Sequence, residues 1–201
     1  SVKLSLIVYF LKVRNKLFQF LFIGIIVEIL LFAILFYEVE SLGEVYRLSA
    51  RYTGRISFGL YIIMFYYFIK EKSQGRLLQN TYSWGVVFSV LHIIHFIFLS
   101  GSVYLNNLPI IPFKLAGGFL AYLAIIIYPF YVKKIKRLIF HLFYFFYVGI
   151  VMFMTFLARI RGEFEGAQKS TFHYLGILIV FTFFLYCFIT FINTKFKKTR
   201  S

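Results

Sequence analysis

No aspartate occurs in this chain, and cysteine occurs once, at Cys187. A single cysteine excludes an intrachain disulfide and any cysteine-ligated iron–sulfur cluster. Within its apolar run Cys187 reads as a small buried side chain. With neither aspartate nor a cysteine cluster, a zinc site has too few ligands to draw together. Charge is scarce too: 14% of residues carry one, against about a quarter in a soluble domain. A glycine-rich phosphate loop, a nucleophile elbow and paired carboxylates are all missing. Hydrolysis and phosphoryl transfer therefore lack their machinery. No polar stretch is long enough to form a water-facing domain, so the net charge of +15 is no nucleic-acid footprint.

What the chain does contain is apolar. Of its 201 residues 61% are hydrophobic and 23% aromatic, and the mean hydropathy is +0.84. That composition predicts an all-α integral membrane protein. The 29 phenylalanines and 16 tyrosines exceed what interfacial belts use. The surplus either fills helix interfaces or lines a flat, ring-shaped ligand.

Six segments approach the roughly 20 residues needed to cross a bilayer. They are Leu17–Tyr37, Tyr52–Ile69, Thr81–Ser100, Phe113–Tyr131, Leu138–Ala158 and Phe172–Ile192. Before them, residues 1–16 hold a short apolar run flanked by Lys3, Lys12, Arg14 and Lys16. This segment is too short to span and shows no small-residue cleavage site, so it predicts an amphipathic helix lying in the interface. Residues 17–192 then form a six-helix membrane domain, and 193–201 a basic tail. Lys and Arg gather in the N-terminal tail, around 70–80, at 132–137 and in the C-terminal tail. Fewer lie in the alternate connections: Arg47, Arg51, Arg55, Lys114, Arg159, Arg161 and Lys169. The positive-inside rule then places both termini in the cytoplasm, in a bacterial or organellar inner membrane.

Histidine in hydrocarbon is costly and asks for a role. His92 and His95 share one broad face of the third segment. At 1.5 Å per residue His95 lies ~21 Å from the cytoplasmic start of its span, His92 ~16 Å and His141 only ~5 Å. Two histidines gripping one flat macrocycle need equal depth, so His95 and His141 do not pair. His173 opens the sixth segment near the external face, where it pairs with His92 or His95 only if that span starts lower. Each histidine also has a plainer explanation, as a hydrogen-bonded helix contact worth ~1 kcal/mol.

The order of these features resembles the ferric reductase-like transmembrane domain. It is most similar to the small bacterial branch of that family, the haem-binding membrane subunit of the methionine-sulfoxide reductase system. The second segment, "ARYTGRISFGLYIIMFYYFI", carries Arg51, Thr53 and Gly54 of an Arg…Thr-Gly signature, and in the third Gly85 precedes His95 by ten residues. A short proline-containing loop precedes the fourth segment, "NLPIIPFKLAGGFLAYL", and a basic run with His141 opens the fifth, "KKIKRLIFHLFYFFYVG". The resemblance implies one b-type haem, with His95 as an axial and metal ligand. The family's second histidine of the fifth span is replaced here by Met154, thirteen residues after His141. Methionine is a known axial ligand. Family register points to Met154, whereas helix geometry puts Met152 on the face of His141; His173 is a third candidate for the opposite bond. No span-three partner for His141 stands near Trp84, so the cytoplasmic-side haem of the family is not expected.

Arg47, Arg51 and Arg55 recur every fourth residue and form a cationic stripe if helical. They would suit haem propionates, or else meet Glu40, Glu44 or lipid phosphates. Glu28 stands alone in an apolar run and suggests a proton site or a partner contact. Gly117 and Ala121 have small-xxx-small spacing, and Pro129 marks a kink or a termination. No inverted repeat supports a transporter.

Two functional expectations follow. One is a transmembrane electron carrier, the subunit of an oxidoreductase. It would be fed by a quinol or a separate flavoprotein and emptied by an external redox acceptor. The other is a haem-free structural subunit of a larger membrane complex.

Overall fold

In the computed structural model, backbone is described for residues 2–109, 112–163 and 168–200, and side chains for 16–109, 116–163 and 168–194. Six helices account for nearly all of it: α1 (Val2–Glu38), α2 (Leu42–Ser73), α3 (Gln79–Leu105), α4 (Pro112–Tyr131), α5 (Leu138–Arg161) and α6 (Thr171–Arg200). There is no strand among the described residues. Within the expected interfacial segment 1–16, the backbone of residues 2–16 is the opening of α1 itself; its side chains before Lys16, and those of the basic tail from 195, lie outside the described residues.

Four of the helices are long and apolar enough to cross a membrane, over Lys16–Glu38, Gln79–Leu105, Leu138–Arg161 and Thr171–Thr194. The chain is thus a multi-pass membrane protein, and the apolar side chains on the outer faces of these helices suit contact with lipid. Helix α4 is apolar but shorter over its described part, Ala116–Tyr131. Helix α2 is less apolar because Arg47, Arg51 and Arg55 stand on its first half. Its second half compensates by burial, since Tyr61, Met64, Phe65, Phe68 and Ile69 are all fully enclosed. A helix jacketed by protein has little need of a lipid-compatible surface.

The chain divides into two compact units. The first holds α1, the start of α2 to Ser57 and α3 from Val86; the second holds α2 from Phe58, the start of α3 to Gly85, and α4 to α6. In the second unit α5 packs against both α4 and α6. Aromatic rings build its interior: Phe145 stacks on Phe65 at 4.7 Å and on Phe68 at 4.6 Å, and Tyr128 lies flat on Tyr144 at 3.6 Å. Helix-interface filling therefore absorbs much of the aromatic surplus. Tyr61 donates its hydroxyl hydrogen to the Phe145 carbonyl at 2.8 Å. Gly149 makes this contact feasible, because a Cβ there would come within 2.5 Å of the Tyr61 hydroxyl and 2.6 Å of the Phe184 ring. Gly149→Ala is expected to lower stability by about 1–3 kcal/mol through overpacking; a denaturant titration in detergent that matches wild type would refute this packing.

Helix ends follow local chemistry. Gly162 closes α5 with φ 74°, and its N–H bonds back to Arg159 O at 3.3 Å. Pro129 does not end α4 at once: the helix continues to Tyr131. A proline so near the C-terminus removes only one late intrahelical bond.

Candidate functional site

The Thr-Gly pair of α2 and His95 of α3 meet in the first unit. Thr53 Oγ1 donates to the Ser49 carbonyl at 2.8 Å. Its single hydrogen is thereby used, so the 3.0 Å contact with His95 Nδ1 is an Nδ1–H donated to Oγ1. The neutral ring then carries its lone pair on Nε2. Gly54 lets the imidazole lie against α2, because a Cβ there would stand 3.0 Å from Cε1 and 3.6 Å from Nε2. Thr53 and His95 are both buried. An imidazole anchored through one N–H, with the lone pair fixed on the other nitrogen, is the form in which histidine ligates metals. On donor chemistry His95 fits a haem iron.

His92 lies one turn away and is buried, its ring 5.4 Å from that of His95 and 5.2 Å from Phe88. In the second unit, His173 is buried with its ring stacked on Phe156 at 5.9 Å. Met152 and Met154 divide along α5. That helix buries His141, Tyr144, Phe145, Val148 and Gly149; Met152 falls on the same side and is half-buried, whereas Met154 is 53% exposed. Among the described residues no group of three or more His, Cys, Asp or Glu side chains is placed to hold a metal ion.

Arg47, Arg51 and Arg55 do share helix α2, and all three are half-buried. Arg47 pairs with Glu44 one turn earlier, through Nη2 at 2.6 and 2.7 Å from the two carboxylate oxygens. The Arg55 guanidinium stands 5.4 Å from the Tyr52 ring centroid. Part of the stripe is thus engaged on its own helix.

His141 is held at both ring nitrogens. Tyr128 donates its hydroxyl to Nδ1 at 2.6 Å, and Nε2–H donates to Ile135 O at 3.0 Å. It ties the end of α4 to the start of α5. Tyr128→Phe leaves Nδ1 buried without its donor, at an expected cost of about 1–3 kcal/mol; thermal melts of the two proteins compare them directly, and equal midpoints would contradict the role.

Two polar features escaped sequence reasoning. Ser49 sits one turn from Thr53 and is fully buried, yet a lone serine carries no signal in sequence. Glu71, buried at the end of α2, accepts hydrogen bonds from Asn80 N and Nδ2 and from Thr81 N and Oγ1, at 2.7–3.0 Å. No family model, curated protein or solved structure matches this chain.

Proposed function

We propose that the chain is the membrane subunit of a redox system and carries electrons across the bilayer through one b-type haem ligated by His95. The observation that carries this reading is the Ser49–Thr53–His95 chain of hydrogen bonds, which fixes the ring and its tautomer. A haem supplies reversible one-electron exchange at iron. The protein's share is to hold His95 in one orientation and to keep water from it by burial. Six spans with cytoplasmic termini, as the distribution of Lys and Arg suggests, put basic connections on the donor side. The donor is a quinol or a separate flavoprotein, and the acceptor lies outside. This rests on the proposal that the chain is a relative of the ferric reductase-like transmembrane family.

The test is vectorial. Protein reconstituted into vesicles loaded with ferricyanide, with dithionite outside, is expected to bleach the internal ferricyanide well above the rate of protein-free vesicles. A rate equal to that control overturns the reading.

A second reading has its own support. Met154, the residue that family register would make a ligand, faces outward on α5, which favours a haem-free subunit whose exposed aromatic faces pack against other membrane proteins. That subunit would be colourless.

A further inference from the structure

In the first unit three aromatic rings, one from each helix, close on one another. Phe32 of α1 stacks on Phe98 of α3 at 5.3 Å, and Tyr46 of α2 meets them edge-on at 5.5 and 5.9 Å. One turn along each helix, in the same direction and on the same face, comes a polar residue. Glu28 is four residues before Phe32, Ser49 three after Tyr46 and His95 three before Phe98. One turn further on α1, Gly24 lies against Leu91 of α3, where a Cβ would meet Leu91 Cδ1 at 2.5 Å. The polar layer is therefore sealed by rings on one side and by a tight helix contact on the other.

Glu28 is 1% exposed, and neither carboxyl oxygen has a hydrogen-bond partner among the described residues. Ser49 Oγ, wholly buried, has none either. Buried polar atoms are satisfied in more than nine cases of ten, and the exceptions commonly mark a bound water or ion. Protonation alone would give the carboxyl one donor and would still leave its second oxygen and Ser49 Oγ without partners among the described residues. Water would supply hydrogen bonds but leave a carboxylate charge unbalanced in a low dielectric. A small cation supplies both charge and coordination, and hard cations take oxygen ligands. One carboxylate balances one positive charge, which selects a monovalent ion.

We propose that Glu28 and Ser49, closed in by Phe32, Tyr46 and Phe98, form a binding site for one small monovalent cation, sodium in the first instance. Glu28 supplies the charge and both oxygens, and Ser49 a hydroxyl oxygen. The site does not depend on the haem reading, and a colourless protein can bear it equally well.

The test is the melting temperature of the purified protein as sodium chloride replaces choline chloride at constant ionic strength. A rise of about 5 °C between 1 and 100 mM sodium is expected for a millimolar site. Ser49→Ala should move the response to higher sodium, and Glu28→Gln should abolish it. Identical melting of wild type in sodium and in choline overturns the site without reference to any variant. A full sodium response retained in Glu28→Gln overturns the assignment of the carboxylate.

Discussion

His95→Ala is expected to lose essentially all of the proposed haem while the protein still folds and inserts. The expectation rests on the ring's anchorage: Nδ1–H is committed to Thr53, and the lone pair stays on Nε2. His92, the other histidine of α3, has its ring beside those of Phe88 and His95, and His141 has both nitrogens engaged by Tyr128 and Ile135. His141→Ala should accordingly keep most of the haem and suffer in stability instead. Pyridine haemochrome assays on both variants separate the two roles. Thr53→Val adds a graded control, because losing the partner of a ligating imidazole typically costs 10–100-fold in metal affinity. Full haem content in His95→Ala would remove the ligand assignment outright.

Glu71→Ala is expected to produce the largest loss of stability of any single change considered, about 3 kcal/mol or more. Its carboxylate takes four hydrogen bonds, two of them from the backbone N–H groups of Asn80 and Thr81 in the first turn of α3. Those N–H groups have no intrahelical partner, and a negative charge there also meets the positive end of the helix. Hydrogen bonds to a charged group contribute roughly 1.5–3 kcal/mol each and do not add simply. Glu71→Gln keeps an acceptor oxygen and should recover part of the loss. Lys133 stands in the same unit with its ammonium 4.0 Å from the Tyr82 ring centroid. Burial lowers its pKa, while the neighbouring Glu71 carboxylate opposes that shift. Chemical denaturation in mixed micelles checks the order wild type, Glu71→Gln, Glu71→Ala; a Glu71→Ala protein as stable as wild type would refute the clamp.

Much of the architecture was legible before any coordinates. Long apolar runs must be helices in lipid, because every backbone group there needs an internal partner, and the described residues form six helices, four of them long and apolar enough to cross a membrane. The four-residue recurrence of Arg47, Arg51 and Arg55 likewise required a helix, and α2 begins early enough, at Leu42, to include all three. Thr53 and His95 were legible only as members of two separate motifs, and nothing in the sequence paired them. The physical content of their pairing, a hydroxyl that fixes a tautomer and a glycine that admits a ring, needed the two helices side by side. Glu71 was not legible at all, since its partners lie nine and ten residues ahead across a turn whose course no periodicity sets. That Met152 lies on the packed side of α5 and Met154 on its exposed side also needed the neighbouring helices in place. The aromatic triangle above Glu28 arises from three helices meeting, and nothing in the run "GIIVEILLF" announces it.

The visible spectrum of the purified protein, as isolated and after dithionite, tests the central claim most directly. The account predicts a Soret band and, on reduction, a sharp α-band of the b-type, both absent from His95→Ala. A wild-type protein that remains colourless after reconstitution with haemin would contradict it, and would leave the chain as a structural membrane subunit with His92 and His95 as helix-packing residues.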